Sequence, residues 1–311
     1  MSQTLQDLTL KDNFMFGAVM ADEKNCKPLL EMILGFPIDR VEINKEYSMT
    51  YHPEYRSIRM DVYAKDGKNT RYNVEMQASK KSTLAKRSRY YHSQMDMDLL
   101  VSGTDYDKLP NVYLIFICDF DPFGERKFRY RFENQCVENG VLSLKDGNYT
   151  IFLSTKGLDA SEISPELYRF LKFLSMDLKA SEHPSGDPFI TQLQNAIQKV
   201  KRSRDMEGRY MLFELLLKDE HDAGLQEGLE QGTQQGMQQG MQQGMKQALS
   251  SQILEFLSDL DPVPQKLTDR ILKETNLDIL KRWVKLSARV SNVHEFEDKM
   301  DIVVSDLTKI V

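Results

Sequence analysis

Two carboxylates, Asp61 and Glu75, interrupt stretches that otherwise alternate apolar and polar residues, "RMDVYAK" and "RYNVEMQ". A turn centred on Lys68, within "KDGKN", joins these stretches as an antiparallel hairpin and sets Asp61 opposite Glu75 and Val62 opposite Val74. On that register Ile58, Met60, Val62, Tyr72, Val74 and Met76 point to one face, and Asp61, Glu75 and Gln77 share the other. Carboxylates placed face to face repel, so the fold gains nothing from them unless a cation lies between. A divalent ion held by oxygen ligands resolves the conflict, and magnesium typically takes one or two protein carboxylates plus waters and substrate phosphate. Acidic residues on a solvated strand face fit the same spacing, and spacing alone leaves both readings open.

A basic stretch comes next. No acidic residue occurs between Glu75 and Asp96, whereas Lys80, Lys81, Lys86, Arg87 and Arg89 do. Arg87, Tyr91 and Gln94 fall on one face if the stretch is helical. Arg87 has the chemistry to hold a phosphate bidentately, and Tyr91 to hydrogen-bond a phosphate or a water. The other reading is a basic solvated face with tyrosines partly in the core. Lys80, Lys81 and Arg89 suit either a solvated face or non-specific contact with a nucleic-acid backbone.

The elements that must position these groups can be read from periodicity. Residues 14–36 carry apolar residues at helical spacing, interrupted near Asp22–Cys26, and predict one broken or two short helices. Strands are predicted over 40–51, 57–65 and 71–77, then a helix over 82–103 ended by Gly103. "NVYLIFICDF" at 111–120 is a continuous apolar run and predicts a buried strand, followed by strands at 126–133 and 149–154. This order marks an α/β domain over roughly the first 155 residues. After Ser161 the pattern is helical throughout: 165–180, 187–220 with a break, 248–258 and 265–289, broken at "DPVP".

Composition narrows the function classes. The chain has 311 residues, 41% hydrophobic content and a net charge of −6, so a nucleic-acid partner needs a local basic surface. Three widely spaced cysteines, Cys26, Cys118 and Cys136, argue against a disulfide framework or zinc site and fit a reducing cytoplasm. The start "MSQTLQDLTLKDN" does not read as a leader, and no run of about 18 apolar residues predicts a membrane span. The expectation is a soluble cytoplasmic protein. Its five histidines are scattered without metal-ligand spacing, and "DFDPFG" lacks the companions of a kinase site.

Asp61 followed by Glu75-Met76-Gln77 resembles the PD-(D/E)xK nuclease signature, an Asp on one strand and (D/E)-x-K on the next. The text around it is similar to the recombination-promoting nuclease (Rpn) family, also labelled transposase. The matching pieces are "KDNFMF", "VEMQ", "KRSRYYHSQ", "GTDYDKLPNVYLIFICDF" and a glycine-periodic tract near the end. The resemblance covers about the first 155 residues, and beyond them it rests on the tract. It implies a restriction-endonuclease-like core, a mixed central sheet flanked by helices, with an all-helical C-terminal extension. It also implies a metal-dependent DNA endonuclease. Asp61 and Glu75 would bind Mg2+, Gln77 would place a water, and Arg87, Tyr91 and Lys81 would meet DNA phosphate, the family's "RxxYY" pattern favouring Arg87 and Tyr91. Asp12 becomes a further acidic candidate, beside its ordinary reading as a helix N-cap. Gln77 stands where the superfamily usually has lysine. The resembled branch also carries glutamine, but charge compensation then falls to another group. The alternative function is a catalytically weak or inactive DNA-binding, self-associating regulatory protein on the same fold.

The resulting division is a nuclease-like domain (1–160), a helical extension (161–223), the tract (224–247) and a helical tail (248–311). In the tract, Gly224, Gly228, Gly232, Gly236, Gly240 and Gly244 recur at every fourth position. Glycine costs about 1 kcal/mol per helix position relative to alanine, so the tract predicts a poor helix in isolation. It reads either as a flexible linker or as a helix formed on self-association, where small residues let backbones approach. A four-residue period advances about 40° per step past a full turn, so the stripe winds around the helix. The expectation is a homo-oligomer through the C-terminal region.

Overall fold

The break expected near Asp22 is a helix boundary. In a computed structural model describing residues 3–44, 48–49, 58–80, 83–100 and 102–308, α1 (Asn13–Met20) gives way to α2 (Glu23–Leu34) there. Asp22 Oδ1 accepts from the Lys24 backbone N–H at 3.0 Å and so satisfies one of the first orphan donors of α2. Gly35, at φ +79°, closes the same helix in the left-handed conformation that glycine adopts most easily.

The strands follow: β1 (Val41–Asn44), β2 (Ser48–Met49), β3 (Ile58–Arg59), β4 (Val62–Asp66) and β5 (Arg71–Gln77). Next come α3 (Leu84–Leu99), β6 (Val112–Cys118), β7 (Arg129–Phe132) and β8 (Asn148–Ser154). Six of these strands form one mixed sheet in the order β1-β4-β5-β6-β8-β7. Strands β5, β6 and β8 run parallel at its centre, and the other pairings are antiparallel.

The sheet is covered on both faces, which explains the unbroken apolar text of β6. Val112, Leu114, Phe116 and Cys118 pack with Tyr91 and Met95 of α3. Ile115 and Ile117 join a second core with Phe16, Leu30, Val62, Val74 and Met76. That second core also takes Leu167, Phe170 and Leu171 of α4 (Pro165–Leu174), and Leu193 and Ile197 of α6 (Pro188–Lys201). The short helix α5 (Leu178–Ser181) lies between those two in the chain. The core of the α/β unit therefore continues past Ser161, because these amphipathic helices bury their apolar stripes in the same core as the sheet.

Two expectations need correction. The predicted strand 57–65 breaks at Met60–Asp61 into β3 and β4, and β3 pairs with β2 in a separate two-stranded sheet. The bend ends the alternation, so Ile58 and Met60 belong to the core on the α3 side, while Val62 belongs to the other. The second correction concerns the tract, which is helical within the single chain. It lies inside α7 (Arg204–Ser258), a 55-residue helix, with all six glycines open to solvent on their Cβ side.

The chain divides within α7 into two compact units, Met1–Leu215 and Leu216–Val311. In the second, α8 (Gln265–Lys273), α9 (Leu277–Ser287) and α10 (Val293–Thr308) form a small core around Trp283 with Ile253, Leu257, Ile271, Leu280, Phe296 and Met300. Trp283 Nε1 donates to the Met300 carbonyl at 3.2 Å, giving the buried indole its partner. Among the described residues no helix is long and apolar enough to cross a membrane.

Candidate active site

The β4–β5 hairpin is held in register by its turn. Asp66 Oδ1 accepts from the backbone N–H groups of Lys68 and Thr70, at 2.9 and 2.8 Å, and Asp66 Oδ2 accepts from the Tyr72 hydroxyl at 2.8 Å. Asn69 takes the positive φ of 67° that the tight turn requires. The resulting register pairs Val62 with Val74, as expected, and leaves Asp61 one position beyond the end of β4.

That position determines what Asp61 does. With β4 starting at Val62, the Met76 N–H faces no strand residue there, and Asp61 Oδ2 accepts it at 2.9 Å. The Asp61 backbone N–H in turn donates to Glu75 Oε1 at 3.3 Å. Helix α1 comes close at this point: a Cβ on Gly17 would lie 3.2 Å from the Asp61 carbonyl oxygen, tighter than an ordinary contact. Gly17 therefore permits the approach that backs the bend at Asp61.

Glu75 is 1% exposed, and Gln77 is also buried. Glu75 Oε1 additionally accepts from Asn73 Nδ2 at 3.2 Å, and Glu75 Oε2 accepts from Arg87 at 2.7 Å. The same guanidinium donates to Gln77 Oε1 at 3.1 Å and to the Tyr91 hydroxyl oxygen at 2.6 Å. Gln77 Nε2 donates to the Met76 carbonyl at 2.8 Å, which fixes which end of the amide faces Arg87. The Arg87 guanidinium also stacks near the rings of Tyr91 (4.9 Å) and Phe116 (5.9 Å). Arg87 thus joins β5 to α3 through three side chains.

The electrostatics follow from burial and proximity. Burial first, and the Asp61 charge second, push the Glu75 carboxyl far above the usual carboxylate range, to about 8, with Arg87 and the hydrogen bonds from Asp61 and Asn73 opposing. Burial and the Glu75 charge push the Tyr91 phenol up to about 12, so it stays protonated near neutrality. A carboxylate pair that disfavours its own second negative charge accommodates a cation well. The donor set, two carboxylates and an amide, is all oxygen and suits a hard divalent ion such as magnesium. Buried Asn73 Oδ1, beside this pair, has no hydrogen-bond partner. Among the described residues no group of three or more His, Cys, Asp or Glu is placed to hold a metal.

Asp61, Glu75, Gln77, Arg87 and Tyr91 lie together. Asp12 is not grouped with them: its carboxylate accepts from the Thr9 backbone N–H (2.6 Å) and hydroxyl (3.1 Å) at the turn into α1. Asp12 occupies the N-cap position, although its side chain bonds backwards rather than into the helix. Lys81 lies outside the described residues. Asn73 and Gly17 were not anticipated. Extending the polar face of β5 two residues back from Glu75 reaches Asn73, whereas the close approach at Gly17 has no local signal.

No curated protein and no solved structure matches the chain. The family model of the PD-(D/E)XK nuclease family transposases matches residues 10–225, which is more than half of the chain and contains the whole six-stranded sheet, and the protein belongs to that family.

Proposed function

We propose that the protein is a magnesium-dependent DNA endonuclease, with Asp61 and Glu75 as metal ligands and Gln77 as the residue that places the attacking water. The observation that carries this reading is Glu75: a carboxylate 1% exposed, beside a second carboxylate, held by Asp61, Asn73 and Arg87. Burial and the neighbouring Asp61 charge both disfavour its ionised form, and a divalent cation between the two carboxylates would relieve both.

When bound, magnesium supplies Lewis acidity at the scissile phosphate and a more acidic water. The side chains do the rest. Asp61 and Glu75 fix where the ion sits, and Arg87 and Asn73 keep the Glu75 carboxylate from rotating. The Gln77 amide, oriented by Arg87 and the Met76 carbonyl, aligns the water for in-line attack. Arg87 keeps donors beyond its three bonds within the site, and with the protonated Tyr91 hydroxyl it steadies the phosphate as negative charge builds. Lys81 adds a contact with the DNA backbone. The setting is the cytoplasm, and the chain is a homo-oligomer through its C-terminal region.

A specific observation favours the second reading, an inactive DNA-binding regulator. Arg87 already gives Glu75 and Gln77 a positive partner, so the site is internally compensated without a metal. Plasmid cleavage by the wild-type chain in magnesium against EDTA, with Asp61→Ala beside it, separates the two. Metal-dependent cutting lost in the variant supports the nuclease, and DNA binding without cutting supports the regulator.

A further inference from the structure

The three central parallel strands end level. Gln77 pairs with Cys118, and Cys118 with Ser154, at the carboxyl ends of β5, β6 and β8. Pairing continues one residue further: Asp119 N–H donates to the Gln77 carbonyl at 2.9 Å, and Thr155 N–H donates to the Cys118 carbonyl at 3.0 Å. Asp119 and Thr155 therefore sit at the same end of the sheet as the candidate water-placing residue, where open α/β sheets bind their ligands.

Asp119 is the centre of a charged cluster that the mechanism above does not use. Its Oδ1 accepts from the Thr155 hydroxyl at 2.7 Å and from Lys156 Nζ at 2.8 Å, and its Oδ2 lies 4.0 Å from Lys11 Nζ. The Lys156 and Lys11 side chains are 50% and 32% exposed, so both ammonium groups reach water while one carboxylate ties them down. Two lysines sharing one aspartate leave the trio with a net positive charge in a chain whose total is −6. Lys11 lies in the turn that leads into α1, the helix whose Gly17 abuts Asp61.

Among the described residues, the positive charge in contact with Glu75 and Gln77 comes from Arg87. Gln77 is neutral where the superfamily usually has lysine, and Arg87 is committed to Glu75, Gln77 and Tyr91. We propose that Lys11 and Lys156, oriented by Asp119, form a phosphate-binding site for the DNA backbone at the carboxyl end of the sheet that carries the candidate active site. Asp119 keeps the two long side chains from dispersing, which lowers the entropy lost when a phosphate docks. The site rests on the nuclease reading, since it needs DNA as the ligand.

The test is the salt dependence of duplex-DNA binding by the full chain in calcium. Each phosphate contact contributes about 0.9 to the slope of log affinity against log salt. K11Q/K156Q should lower that slope by about 1.8 and weaken binding at low salt, whereas K11R/K156R should keep it. Lys156→Gln alone, at the more exposed position, should lower it by about 0.9 and covers the case in which the double variant melts early. Wild-type binding with an unchanged slope in both glutamine variants overturns the site and leaves the cluster as a strap across the sheet end. A wild-type chain that binds no duplex DNA overturns the nuclease reading together with it.

Discussion

Strand β5 and the glycine tract of α7 break the ordinary burial rule in opposite directions. In β5, the polar residues Asn73, Glu75 and Gln77 are buried. Along the tract, Leu225, Leu229, Met237, Met241 and Met245, each directly after a glycine, are 42–74% exposed. Buried charge costs stability unless it is paired, and exposed apolar surface forgoes roughly 25 cal/mol per Å² of burial. Neither region is what folding stability alone selects. The difference lies in what would relieve each: a cation and a phosphate for β5, apolar surface from another chain for the tract.

Arg87 offers the strongest way to break the β5 side of this contrast. Arg87→Ala removes the group that holds Glu75, Gln77 and Tyr91 at once, and kcat/KM for DNA cleavage should fall by about 100-fold or more. The variant should also be less stable, since the bonds from Arg87 to Glu75, Gln77 and Tyr91 are lost. Single-turnover cleavage and a denaturant melt check both, and a near-wild-type rate returns Arg87 to a structural role.

Deleting 224–247 tests the other side. The core that holds Ile115 and Ile117 reaches Tyr210 and Phe213, both before residue 224, so the α/β unit should stay folded while the mass in solution falls to fewer protomers. Light scattering on the full chain, the deletion and a chain ending at Glu220 reads this. One protomer count for all three makes the tract a linker and removes the self-association reading.

A smaller effect concerns pH. The Glu75 carboxyl is raised to about 8 in the folded chain, above its unfolded value of about 4.3. Between those values the folded state holds a proton that the unfolded state has lost, so this group's contribution to stability falls as pH rises. A divalent ion competes with that proton. The magnesium-induced rise in Tm should therefore be larger near pH 8.5 than near pH 6, and Glu75→Gln should abolish the difference. A rise that is equal at both pH values in the wild type contradicts a metal on Glu75.

Much of this contrast is legible in the residues themselves. Period-two text locates β5 from Arg71 to Gln77, and the "KDGKN" turn sets the Val62–Val74 pairing, because hairpin register follows loop geometry. Arg87, bonded to Glu75, also meets Tyr91 because a helix places residues four apart on one face. The bend at Asp61 is not legible. It arises where the Asp61 side chain takes the Met76 N–H, and it sends Ile58 and Met60 to the opposite core from Val62. Long-range placement is also silent in the local pattern: Lys11, Asp119 and Lys156 come together through the ends of three separate elements. The tract misleads for another reason. Glycine propensity predicts a poor helix, yet the tract continues one helix from Arg204 to Ser258, whose nucleation cost is met once for the whole length.

The central claim, that half-buried Asp61 next to β4 and buried Glu75 in β5 form a metal site for cutting DNA, is tested most directly by plasmid cleavage in magnesium and in EDTA. Wild-type protein and Asp61→Ala should be run side by side, with their melting curves. The account predicts cutting by the wild type in magnesium, none in EDTA, and none by Asp61→Ala at temperatures where its melting curve shows it fully folded. Full cleavage by Asp61→Ala, or no cleavage by the wild type with any divalent ion, contradicts it.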